Sequence, residues 1–442
     1  MEGKNISRPG KHNHIPPFQL RSGIWLLLGL FAAVTAWTYM HKVLLPWEYQ
    51  NNVKSGKLKQ EMGDLYPRWV GTRELLLHGQ NPYGPEVSHE IQMAFYGRPI
   101  EQKLGVPGAD IVDEQRFVYP IYVVFFLAPT VYADFAQVQA WAPVVLALLI
   151  AAAVLLWMDV LRWQPPKMLA AAIILFVLAS PQTAQGLRLR QIGLVVAFLL
   201  AASVWCITRN HLLTAGALLA VSTIKPQMVV LPLACFLLWG AGAWPQRWRF
   251  LAGFGIVLAL LVGAGEFLLP GWLHYFWEGV LAYREYYPST SLPRVFLGNA
   301  MGNAVSAIAI IAMLILAWKN REHDANSAAF AHDAAIFMLI LPLVLPLWRP
   351  FDQVLLLLPL MLVLRDWTKL SWPFRHVFAL MVAWPSITSV ALLIHRPDVN
   401  SHRWLPLLPS AFELALPFVV AILCVPKRHF AINPGIRSDE GT

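Results

Sequence analysis

The sequence predicts an all-α polytopic membrane protein. Two observations carry that prediction. Apolar residues make up 57% of the 442 and charged residues only 13%, against about 45–50% and about 25% in soluble domains. Aromatic residues are 12%, and 19 of them are Trp, the side chain that collects at the bilayer–water interface. Mean hydropathy is +0.53. This composition excludes a soluble globular enzyme, a disordered chain and a disulfide-stapled secreted domain. With about 20 residues per span, the apolar share covers roughly a dozen crossings.

The elements follow in order. Residues 1–21 are polar and basic, with Lys4, Arg8, Lys11 and Arg21, and 1–23 reads as a cytoplasmic tail. The run at 24–45 is longer than the apolar part of a signal peptide and has no A-x-A cleavage site, so it predicts a retained span. A long polar first outer loop, with helices lying along the membrane, then occupies 47–134. Further apolar runs lie near 139–161, 168–187, 191–207, 211–224, 226–241, 250–269, 298–318, 334–347, 351–364, 375–394 and 407–425. The membrane domain therefore spans 24–425, and 426–442 is a second cytoplasmic tail. The 33 prolines are compatible with spans whose neighbours satisfy the freed backbone.

Charge sets the topology. Arg162/Lys167, Arg209/His211, Arg247/Arg249, Lys319/Arg321, Arg365/Lys369/Arg375 and Lys427/Arg428 fall in alternate loops, which the positive-inside rule makes cytoplasmic. The pattern closes if the short run 117–132 lies in or dips into the outer interface. It then gives twelve spans with both termini inside. If that run crosses, there are thirteen, and the later loops invert. Several spans beside the outer face are short, and short or broken helices with charged outer ends commonly line a cavity.

The net charge of +9 is spread in short clusters between apolar runs, so it marks topology; a nucleic-acid partner is not expected. Cys206, Cys235 and Cys424 each sit inside an apolar run, with no metal or redox spacing. The chain has no HExxH, GxxxxGK[ST] or GxGxxG. Neither a metal site nor a cofactor is expected.

The residues able to do chemistry collect on the outer side. Asp64 lies in the first loop, with Arg68 four residues on and Arg73 and Glu74 following. A carboxylate held beside a lipid cleft can take a proton from a hydroxyl as general base. It can equally cap a helix or pair with an arginine. Arg188, Arg190 and Gln191 precede one span, Lys225-Pro226-Gln227 separates two short ones, and Arg349-Pro350-Phe351-Asp352 separates two more. Cations there suit a phosphate, which arginine grips bidentately and lysine as a point charge. The competing reading is snorkelling to lipid headgroups. His274, Glu278, Arg284 and Glu285 stand in an aromatic loop at 270–297, where the rings fit an interfacial belt or a sugar. Glu266 reads as a helix–helix hydrogen bond.

Gly63-Asp64-Leu65-Tyr66, Leu76-Leu77 and Gly79-Gln80-Asn81-Pro82-Tyr83 together resemble the first-loop signature of polyprenol-phosphate-mannose-dependent mannosyltransferases, glycosyltransferase family 87 of the GT-C class. Phe117-Val118-Tyr119-Pro120 resembles that family's Tyr-Pro-Pro segment, with Ile121 in place of the second proline. Arg190-Gln191 stands where the family has Gly-Gln. Lys225-Pro226-Gln227 followed by Arg247/Arg249 is also similar. The resemblance covers about residues 60–365. It implies a GT-C-like bundle with Asp64 as catalytic base and a hexose donor carried on polyprenyl phosphate. The acceptor it implies is a hydroxyl of a glycolipid or cell-envelope glycan. Arg68, Arg188, Arg190, Gln191, Lys225, His274, Arg349 and Asp352 are the candidates to hold donor phosphate or sugar. Relatives carry a Ser-Pro and a His near a late outer loop; here the segment is Trp348-Arg349-Pro350-Phe351-Asp352, without His. The expected place is a bacterial inner membrane, with the active site on its extracytoplasmic side. A transporter or lipid flippase would also use many spans and broken helices, but with its site near the midplane. A non-catalytic envelope scaffold would need none of these charges.

Overall fold

In the computed structural model the described residues are 22–54, 62–97, 115–286, 290–346 and 349–395, with Pro409 and Val419. Their regular elements are all helical, with no strand among the described residues. Of the two tails and the run at 407–425, only Ser22, Gly23, Pro409 and Val419 fall among them, and Cys424 lies outside.

The first span, α1 (Ser22–Tyr39), passes through a π-helical turn, Met40–Leu44, into α2 (Leu45–Lys54). The outer loop supplies α3 (Tyr66–His78) and α4 (Pro85–Tyr96), each ended by a glycine in the left-handed region, Gly79 and Gly97, as helix C-termini favour. The run at 117–132 forms only a five-residue helix, α5 (Val123–Leu127), and a 3₁₀ turn, Ala128–Thr130. At about 1.5 Å per residue it is far too short to cross. Its side chains Phe117, Ile121, Val123 and Val124 are fully buried, so the segment folds into the protein.

Next come α6 (Phe135–Val160), α7 (Lys167–Ala179), α8 (Pro181–Leu189), α9 (Ile192–Thr208), α10 (Leu212–Ser222), α11 (Val230–Gly242) and α12 (Trp244–Leu268). They are followed by α13 (Trp272–Tyr286), α14 (Leu292–Lys319), α15 (Ala328–Val344), a 3₁₀ segment Pro350–Leu356, α16 (Leu357–Arg365) and α17 (Trp372–His395).

Among the described residues, five helices are long and apolar enough to span: Ser22–Gln50, Phe135–Val160, Trp244–Leu268, Leu292–Lys319 and Trp372–Ile394. The pair α7 and α8, bent by 60° at Ser180-Pro181, makes a sixth if it acts as one broken span. The other runs fold into shorter helices. α10 has 11 residues, about 16 Å of rise, against a hydrocarbon core of about 30 Å. The reason is that an apolar run reports burial, whether in lipid or in protein. In α9, 14 of 17 residues are buried in the protein, and it packs against α6, α8, α10 and the 3₁₀ segment. On α12 and α14, by contrast, Ile256, Leu260, Ile308, Ile311 and Ile315 are exposed, as expected of surfaces that meet lipid.

Small residues let the helices close in. A Cβ on Gly216 would lie 2.0 Å from the Phe250 carbonyl oxygen, and one on Gly253 would lie 2.2 Å from that of Leu213. This locks α10 to α12 by the close-approach device of membrane helices.

Candidate active site

The turn before α3 builds the centre of the site. Gly63 adopts φ +66°, and a Cβ there would sit 2.8 Å from the Leu189 carbonyl oxygen. Only glycine allows both the left-handed conformation and this approach. The next residue then docks, with the Asp64 N–H donating to Leu189 O at 2.8 Å. Leu189 ends α8, and Arg190 caps that helix in the left-handed region at φ 53°. The Gln191 N–H turns back to Gly186 O at 2.8 Å, and the chain leaves as α9. The turn holding Asp64 and the α8–α9 corner holding Gln191 are therefore one interlocked unit, although 127 residues separate the two side chains.

Gln191 is the hinge of a polar chain. Its side-chain N–H donates to Asp64 Oδ2. Its carbonyl oxygen accepts from Lys225 Nζ at 3.4 Å. Lys225 Nζ in turn lies 2.8 Å from Asp352 Oδ1, with both side chains buried. Lys225 follows α10, and Asp352 stands in the first turn of the 3₁₀ segment, which packs on α8. Phe351 brings its ring 5.3 Å from Lys225 Nζ and 5.9 Å from the Arg349 guanidinium. The prolines in Lys225-Pro226 and Arg349-Pro350 begin 3₁₀ segments after these residues, which breaks the helices where the charges stand.

The arginines differ in how they are neutralised. Arg68 donates to the Asp64 backbone carbonyl at 2.7 Å, and its guanidinium lies 4.5 Å from the Tyr119 ring centroid. Its buried Nε has no hydrogen-bond partner. The i+4 spacing thus yields a contact through backbone, and the Asp64 carboxylate is held by Gln191. Nor does the Asp64 side chain cap α3, whose N-cap is Leu65 without a side-chain hydrogen bond. Arg190 donates to Arg188 O at 2.9 Å and to Gln139 O at 3.4 Å. Arg188 forms an ion pair with Glu48 of α2.

The structure therefore brings Asp64, Arg68, Arg190, Gln191, Lys225 and Asp352 into one connected cluster, with Arg188 beside it and Arg349 next to Phe351. His274 touches none of these residues. It is exposed on α13, with Nε2 3.1 Å from Glu278, one turn along the same helix. Glu266 accepts from the Gly271 N–H at 2.7 Å, so it caps a local turn, where the sequence suggested a bond between helices. Sequence reasoning missed Glu48 as the partner of Arg188 and Tyr119 as the ring under Arg68. The Phe-Val-Tyr-Pro motif was the signal for Tyr119; Glu48, at the end of a span, had none. Among the described residues no group of three or more His, Cys, Asp or Glu could hold a metal ion.

A half-buried carboxylate oriented by an amide, with arginine side chains beside it, is suited to accepting a proton next to a bound anion. No curated protein and no solved structure matches the chain. The family model of glycosyltransferase family 87 matches residues 117–346, more than half of the chain, and the segment includes Gln191 and Lys225. This chain is a member of glycosyltransferase family 87.

Proposed function

We propose that the protein transfers a hexose, mannose-like, from a polyprenyl-phosphate sugar to a hydroxyl of a glycolipid or cell-envelope glycan. The reaction takes place at the extracytoplasmic face of the inner membrane, with inversion at the anomeric carbon. The observation that carries the reading is the Asp64–Gln191–Lys225–Asp352 chain of contacts.

In this mechanism the Asp64 carboxylate takes the proton of the acceptor hydroxyl. The hydroxyl oxygen bonds to the anomeric carbon from the face opposite the phosphate, and the bond from that carbon to the phosphate oxygen breaks. Polyprenyl phosphate leaves with the bonding pair. Because it departs as an anion, it needs positive charge and no proton. Arg68 is placed to supply that charge, since its contacts named above are to a carbonyl oxygen and a ring, and Arg190, whose guanidinium lies against the Gly63 turn, is the second candidate. Lys225 and Arg188 already face Asp352 and Glu48. Lys225 contributes by holding Gln191, and through it Asp64. No nucleotide site is needed when the donor is a lipid phosphate.

The test uses purified protein, polyprenyl-phosphate hexoses and a lipid-glycan extract, with products read by mass spectrometry. Asp64→Asn keeps the shape and removes the base. It is expected to abolish transfer while expression and folding persist. Substantial residual transfer would remove Asp64 from the mechanism.

A further inference from the structure

Beside the Asp64 turn lies a cleft of about 550 Å³, lined chiefly by Met62, Tyr66, Trp69, Arg73, Phe135 and Gln139. That volume is within the range of small-ligand sites, about 300–1,000 Å³. The cleft touches the catalytic turn at two points. Met62 precedes Asp64 by two residues, and the Gln139 carbonyl accepts from Arg190 Nε. The donor-side contacts of Asp64, through Gln191 to Lys225, use none of these lining residues.

The lining has a definite chemistry. Three rings form one continuous wall: Tyr66 to Phe135 at 4.8 Å, Trp69 to Phe135 at 5.2 Å and Tyr66 to Trp69 at 6.3 Å between centroids. The Trp69 indole N–H already donates to Thr130 O at 3.2 Å, so Trp69 offers only its ring. Arg73 lies over Trp69 at 5.3 Å, and its buried Nε has no hydrogen-bond partner. Arg73 is not a free positive charge, however. Partial burial and the neighbouring Glu74 raise the Glu90 carboxyl above its usual range, and Arg73 draws it back. Glu74, the next residue on α3, and Glu90 of α4 thus share the surroundings of Arg73. Ring surface with a few hydrogen-bonding groups suits a hydroxylated, uncharged molecule. An anionic one would meet the field of Glu74 and Glu90.

We infer that this cleft is the acceptor subsite, and that it takes an uncharged sugar residue of the acceptor, packed on Tyr66 and Phe135 and hydrogen-bonded by Arg73 and Gln139. The inference rests on the glycosyltransferase reading only for the word acceptor; binding of the sugar can be measured without transfer.

The experiment is saturation-transfer NMR on the full-length protein in nanodiscs. The probes are neutral mannose and glucose oligosaccharides and the same sugars carrying a phosphate. Neutral sugars are expected to show transfer to their ring protons, and phosphorylated ones much less. Phe135→Leu, which keeps bulk and removes the ring, and Arg73→Gln should each weaken neutral-sugar binding by about tenfold, the scale of one lost packing or hydrogen-bonding contact. Asp64→Asn should bind them as the parent does. In turnover assays, Phe135→Leu and Arg73→Gln should raise the acceptor KM and leave the donor KM within about twofold. No neutral sugar bound, equal or better binding of phosphorylated sugars, or unchanged binding in both variants would each overturn the assignment. Persistent transfer by Asp64→Asn would instead sink the base mechanism and leave the sugar site standing.

Discussion

Gln191 offers a sharp test of how the site is held together. The residue is 4% exposed, and its amide makes two contacts, donating to the Asp64 carboxylate and accepting from Lys225 at 3.4 Å. Gln191→Leu removes both while keeping bulk. A hydrogen bond to a charged group is worth about 1.5–3 kcal/mol. At 1.36 kcal/mol per tenfold in rate, losing the one on Asp64 should slow transfer by roughly tenfold to hundredfold. The loss should fall on kcat, because the amide orients the base and is not among the groups proposed to meet the donor phosphate. Gln191→Glu should be worse, since it sets a second carboxylate against Asp64. The assay is initial-rate transfer from a polyprenyl-phosphate hexose over a range of donor concentrations, with thermal unfolding as the folding control. If Gln191→Leu stays within about twofold of the parent in kcat while Asp64→Asn is inactive, Gln191 does not position the base.

Three further outcomes are expected. Gly63→Ala forces a Cβ into a left-handed residue, costing about 1–2 kcal/mol, and sets it 2.8 Å from Leu189 O. Its Tm should fall together with activity, and an unchanged Tm would refute the packing argument. Lys225→Met and Asp352→Leu should each destabilise by about 3–5 kcal/mol by stranding a buried charge. The double variant should regain much of that stability yet stay slow, which a double-mutant cycle on Tm and on kcat measures; additive losses would refute the pairing. Glu48→Gln leaves Arg188 without its carboxylate. Because Arg188 is not among the groups proposed to meet the phosphate, donor KM should stay within about twofold of the parent, whereas a severalfold change would show that Arg188 does meet it.

Much of this protein was legible from composition and charge. Low charge and long apolar runs announce a helical membrane protein, because hydrocarbon tolerates only backbone that is satisfied internally. The short spacing from Gly63 through Asp64 to Arg68 and the prolines at Lys225-Pro226 and Arg349-Pro350 marked where helices break and charges stand. Local chemistry was enough for that, since glycine and proline act on their own backbone.

The span count was less legible. The runs at 191–207, 211–224 and 351–364 are as apolar as the five long helices, yet they fold into the shorter α9 and α10 and a 3₁₀ segment leading to α16. Hydropathy does not distinguish lipid from a neighbouring helix as the apolar surroundings. The partners of the charges were not legible at all. That Asp64 faces Gln191, and that Lys225 is neutralised by Asp352 and Arg188 by Glu48, are consequences of packing between segments more than a hundred residues distant. Charge type and helix ends are written locally, but a pairwise contact depends on the path of the whole chain between its two members, and only the folded bundle specifies that path.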